Sequence, residues 1–149
     1  MILDNFAEFG DDATLVGNAA STYVLGDVID LGSAPTTQDI GTGEPIYIVV
    51  QISDTVLAAG GAANVTFKVV SDSVAALNNS ATVHMTSPAI AKATLVTGYT
   101  VFAARLPSGS YERYLGVTYT PDTNDTTAGK ANAFLTHDIA KWIALPDAI

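Results

Sequence analysis

Hydrophobic and polar residues alternate along most of this chain with a period of two. Residues 64–71, NVTFKVVS, set Val65, Phe67 and Val69 on one side and Thr66 and Lys68 on the other, the signature of a half-buried strand. Residues 45–53, PIYIVVQIS, place Ile46, Ile48, Val50 and Ile52 on one face and Tyr47, Val49 and Gln51 on the other. The second face is hardly polar, so this strand is expected at the centre of a sheet, covered on both sides. In LPSGSYERYLGVTYT, residues 106–120, a turn leads to a strand with Arg113, Leu115, Val117 and Tyr119 on one face and Tyr114, Gly116 and Thr118 on the other. Further strands are predicted at 23–31, 81–85, 90–96, 99–106 and 130–139, separated by turn residues such as LNNS at 77–80 and PDTNDTTAG at 121–129.

About eight short strands with almost no helical periodicity predict an all-β antiparallel sandwich, jelly-roll-like, whose two sheets hide their apolar faces against each other. A single domain is expected, with the sandwich at 13–139, an N-terminal arm at 1–12 and a C-terminal tail at 140–149. Neither end fits the strand pattern. The arm carries Ile2, Leu3, Phe6 and Phe9, and the tail carries Trp142, Ile143 and Leu145. Two readings of these ends stay open: they fold back on their own sandwich, or they anchor to a neighbour as buried aromatics do at interfaces.

Composition narrows the chemistry. The 149 residues are 48% hydrophobic and only 14% charged, which leaves a thinly charged surface to be covered. The net charge is −9 with six Lys plus Arg; a phosphate-binding protein needs a basic face, so no nucleic-acid partner is expected. Asp4, Glu8, Asp11 and Asp12 crowd the first dozen residues without a base among them, either as a solvated arm or as one that docks on a basic surface. Cysteine is absent, which removes disulfides and thiolate metal sites. MILDNFAEFGDD lacks the basic start of a signal peptide, no apolar run reaches the ~20 residues of a membrane helix, and no membrane partner is expected.

Candidate catalytic motifs do not survive inspection, so no enzyme, metal or cofactor is expected. His84 and His137 lie in predicted strands without metal-ligand spacing. No GxSxG elbow is present. DIGTGEP at 39–45 has two glycines of a dinucleotide loop, but a proline and a strand follow where a helix must begin. Asp122, Asn124 and Asp125 offer oxygen ligands, yet the loop lacks the glycine and the glutamate of an EF-hand; Asx turns account for it better. Tyr47, Tyr99, Tyr111, Tyr114 and Tyr119 are strand residues that would serve a sugar site only if they converged on one patch. Arg113 beside Tyr114 suits either a sugar hydroxyl or an acid at a subunit contact.

Three stretches carry a family resemblance: MILDNFAEF at the start, DIGTGEPIYIVVQI at 39–52, and LPSGSYERYLGVTYT at 106–120. Spread along the chain, they resemble the small capsid cement, or decoration, proteins of podovirus-type tailed phages, the Bordetella-phage type. The resemblance implies a jelly-roll-like subunit without an active site, made in the host bacterial cytoplasm. It implies a place on the outside of an icosahedral head, clamping neighbouring copies of the major capsid protein. It also implies a homo-oligomer, a dimer ahead of a trimer. The matched start makes Ile2, Leu3, Phe6 and Phe9 candidate shell contacts; Arg113, Tyr114, Trp142, Ile143 and Leu145 stand on residue chemistry alone. Deleting residues 1–9 is expected to weaken shell binding and leave the sandwich folded. The competing expectation is a carbohydrate-binding sandwich on a virion or cell surface.

Overall fold

The computed structural model describes residues 5–33, 40 and 43–139. After a single 3-10 turn at Asn5–Ala7, the chain forms ten strands: β1 Glu8–Thr14, β2 Tyr23–Val24, β3 Ile29–Asp30, β4 Tyr47–Ala58, β5 Asn64–Asp72, β6 Thr82–Thr86, β7 Ile90–Ala91, β8 Thr100–Arg105, β9 Tyr114–Asp122 and β10 Thr126–Thr136. They make two antiparallel sheets, β1-β10-β4-β8 and β2-β9-β5-β6, with β3 also on β9 and β7 also on β5. Counting β2 with β3 as one broken strand and β6 with β7 as another, the ten strands reduce to eight. The first, eighth, third and sixth then form one sheet and the second, seventh, fourth and fifth the other, which is the jelly-roll order.

Between the sheets lies one apolar core. Ile48, Val50 and Ile52 of β4 meet Val65, Phe67 and Val69 of β5 and Leu115, Val117 and Tyr119 of β9, all buried. The opposite face of β4 is buried as well, with Val49 at 1% and Gln51 at 4% exposure, as its apolar pattern predicts.

Several boundaries differ from the sequence expectation. Residues 23–31 do not form one strand. The backbone turns at Gly26, with φ at 68°, and Asp27 N–H crosses to the other sheet to donate to Phe9 O at 2.6 Å. A Cβ at Gly26 would fall 2.1 Å from Phe9 O, so only glycine fits. Of 90–96, only Ile90–Ala91 is strand. A tight turn, closed by Thr94 N–H on Ala91 O and Leu95 N–H on Lys92 O, then drives Leu95 into the core. The loop expected at 121–129 shrinks, because Pro121 and Asp122 extend β9 and Thr126 already begins β10.

The largest correction concerns the N-terminal arm. Residues 8–12, expected in the arm, belong to β1, an edge strand paired with β10. Phe9 is fully buried in the core.

Candidate functional site

Of the residues singled out from the sequence, Ile2, Leu3, Trp142, Ile143 and Leu145 lie outside the described residues. The other four divide. Phe9 is fully buried within its own sandwich and has no surface to offer a neighbour. Phe6, three residues earlier, is 85% exposed. The 3-10 turn separates them: it places Phe6 on the outside just before β1 commits Phe9 to the inside. Arg113 and Tyr114 stand where the chain enters β9.

Phe6 borders an open cleft of about 680 Å3 between the start of β1 and the β2–β3 crossing. Its acidic walls are Glu8, Asp11, Asp27 and Asp30, with Val28 and Ile29 as the apolar part. Burial, then the neighbouring charge of Asp11, pushes the Glu8 carboxyl above its ordinary range. Asp30 moves the other way. The hydrogen bond from Arg113, then one from Gly32 N–H, holds its carboxyl low. Arg113 grips Asp30 through two guanidinium nitrogens, Nη2 to Oδ2 at 2.8 Å and Nε to Oδ1 at 3.0 Å, a bidentate geometry that lysine cannot reproduce. Its guanidinium also lies 4.9 Å from the centre of the Tyr114 ring, within cation–π range. Asp30 therefore joins the predicted residues. It lines the cleft beside Phe6 and also anchors Arg113, which lies against Tyr114, so Asp30 links the three predicted side chains that, among the described residues, reach the surface.

Sequence reasoning missed Asp27 and Asp30. The excursion at Gly26 carries Asp27 to β1 and leads on to Asp30 in β3, at the cleft wall, and no periodic signal marks that crossing.

A second cluster joins β5, β6 and the turn before β9. Ser71 Oγ lies 2.7 Å from His84 Nε2 and accepts a hydrogen bond from Glu112 N–H at 3.1 Å. The His84 ring packs on Tyr111 with centroids 4.2 Å apart. Burial lowers the imidazole pKa, and the charge of Glu112 partly offsets this. A serine–histidine pair resembles half of a hydrolytic triad, but Ser71 is fully buried and Glu112 Oε1 is engaged by Thr82 Oγ1. The arrangement ties two strands to a turn and leaves no approach for a substrate to Ser71.

The tyrosines do not converge. Tyr47 lies on β4 in the four-stranded sheet, Tyr114 on β9 in the other, and Tyr111 packs on His84. None of these three lines the cleft beside Phe6 or the smaller concavity between Thr22 and Ala81; only Tyr23, stacked on the buried Tyr119, borders the latter among the described residues. The candidate calcium loop also disperses. Asp122 Oδ1 accepts from Thr123 N–H, Asp125 Oδ1 from Ala19 N–H, and Asn124 Nδ2 donates to Ala62 O. Among the described residues, no three His, Asp or Glu side chains are grouped to hold a metal ion.

A family model described as Bbp16, a Bordetella phage protein family, matches residues 11–135. The chain belongs to the Bbp16 family. The match runs from within β1 almost to the end of β10, so it takes in nearly the whole sandwich. It also takes in Asp27, Asp30, Arg113 and Tyr114, while Phe6 and Glu8 precede it. No curated protein matches this Bbp16-family chain.

Proposed function

We propose that this protein is a capsid cement protein, held on the outside of an icosahedral phage head, where it clamps neighbouring copies of the major capsid protein. It is made in the host cytoplasm, acts as a homo-oligomer and needs no catalysis. Membership of a phage protein family supports a virion role. The observation that carries the adhesive role is Phe6, a large apolar side chain held outside a rigid sandwich at the rim of an acidic cleft. Buried against a shell, such a ring contributes the apolar anchor, and the carboxylates around it steer docking to a basic surface. Each contact is small, but an oligomer that grips several capsomers multiplies them through effective concentration. The net charge of −9 argues against the packaged nucleic acid as the partner. The dispersed tyrosines give the sugar-binding reading no site to rest on.

The test is co-sedimentation of the purified protein with expanded phage shells that lack it. Saturable binding at a fixed ratio to the shell protein is expected. A folded protein that stays in the supernatant would overturn the proposal.

A further inference from the structure

A two-layer sandwich buries one side of each sheet and leaves the other to water. The four-stranded sheet departs from this along one strip. Leu135, Ala133 and Ala131 of β10 enter the core, so Phe134 and Thr136 point to the other side, where they stand opposite Val49 and Tyr47 of β4. Yet Phe134 and Thr136 are only 4% and 7% exposed, and Val49 and Gln51 are buried beside them. The strip is narrow. Ala103, opposite Val49 on β8, is exposed, and so is Lys130 further along β10. Among the described residues the strands make two layers only, and the second lies across the core, on the wrong side to cover the strip.

The chain leaves β10 over this strip. The Thr136 hydroxyl, on the same side as Phe134, accepts from Asp138 N–H and donates to Asp138 O, both at 3.1 Å, which bends the backbone across that side of the strand. His137 Nδ1 lies 3.2 Å from Pro45 O and pins the bend beside the start of β4. After Ile139 come ten residues, AKWIALPDAI, in which Trp142, Ile143 and Leu145 accompany two charges, Lys141 and Asp147. The strip runs from Thr136 to Asn132, the residue opposite Gln51, a span of about 13 Å; ten residues reach about 33 Å.

We propose that residues 140–149 fold back along the outer side of the four-stranded sheet, with Trp142 closing over Phe134 and Val49. The strip is buried in a single chain, so its cover comes from this chain and not from a second copy or a shell. The chemistry of the two surfaces agrees. Phe134 and Val49 are apolar, and the Gln51 amide turns sideways to Thr100, Nε2 to Oγ1 at 3.1 Å, so no charge opposes an indole ring. A tryptophan brings a large apolar area to such a site. Trp142, Ile143 and Leu145 then seal their own sandwich instead of gripping a shell, and β4 becomes the middle of three layers along the strip. This inference does not rest on the cement reading.

The experiment is fluorescence of the full chain, in which Trp142 is the sole tryptophan, with acrylamide as quencher, over a dilution series and without shells. The wild type is expected to emit at shorter wavelength than the urea-unfolded chain and to be quenched less, equally at every concentration. Phe134→Leu and Val49→Thr alter the floor. Both are expected to shift the emission to longer wavelength and raise quenching, with unchanged circular dichroism, whereas Val83→Thr, on the exposed side of β6, leaves Trp142 unmoved. If the leucine variant misfolds, the threonine variant decides, since it keeps the shape of the side chain and places a hydroxyl under the ring. Emission and quenching equal to those of the unfolded chain overturn the proposal. So does protection that is lost on dilution, which would place the segment on a second copy, and so does protection that folded floor variants leave untouched, which would place it elsewhere on the sandwich.

Discussion

Phe6 and Phe9 sit three positions apart and do opposite work. Phe9 fills the core, so Phe9→Ala leaves a cavity expected to cost about 3–5 kcal/mol. Phe6→Ala removes an exposed ring and is expected to change stability by less than about 0.5 kcal/mol while weakening shell binding. Chemical denaturation and co-sedimentation of the two variants separate these roles; a Phe6 variant that binds shells normally would remove Phe6 from the interface. His84 supports a prediction about acid. Burial lowers its pKa in the folded protein, so the unfolded chain binds the proton more tightly. Stability is therefore expected to fall as pH drops through the unfolded value of 6.5 and to level off below the folded one. The carboxyls start from lower ordinary values. Burial pushes the Asp72 carboxyl up, but hydrogen bonds from Asn79, Val74 and Ser73 outweigh it and hold that group low. Glu8 is raised, from 4.5. Thermal melts on either side of pH 6.5 should show the loss in the wild type and a flatter response in His84→Gln; equal slopes would refute the assignment.

At the level of strands, the crossing at Gly26 joins the two sheets at one end. Gly26→Ala would press a methyl group into Phe9 O and force a positive φ on a residue with a Cβ. It is expected to destabilise the fold by at least 1 kcal/mol, on the order of other mutations at strained backbone positions, and to distort the cleft; a melt equal to wild type would show that the crossing relaxes freely. β1 also revises the deletion experiment. Removing residues 1–9 takes away Phe9 with the arm, so the fold is expected to weaken along with binding, whereas removal of residues 1–5 leaves β1 whole. What the sequence made legible follows from the physics of pairing. β5 was readable because its ladder with β9 is unbroken, and β4 because residues 47–52 pair with β10 without a shift; such runs keep the period of two. β1 was not, because its bulges break that period and EFGDDAT sends only Phe9 fully inward. The cleft was invisible for a related reason: Asp27 and Asp30 reach it through a non-repeating backbone turn. The Arg113–Tyr114 pair was legible as local chemistry, but its acid, Asp30, is 83 residues away.

For the whole molecule, the uneven charge implies salt-dependent docking. If the carboxylates around Phe6 meet a basic shell surface, binding is expected to weaken as added salt shortens the reach of their field, about 10 Å at 0.1 M. Co-sedimentation across a salt series reads this directly; a flat response would leave the apolar contact as the whole attraction. The sheet order has a consequence in time. β10, the last strand among the described residues, lies between β1 and β4. While the ribosome is still adding Thr126–Thr136, the first strand has no neighbour in its sheet and β4 is bare along one side. The sheet closes only when the final segment slides between partners synthesised long before it. Pairings so distant along the chain form slowly, so closure of this sheet is expected to be a late step in folding, and without β10 the first strand has no partner in its sheet.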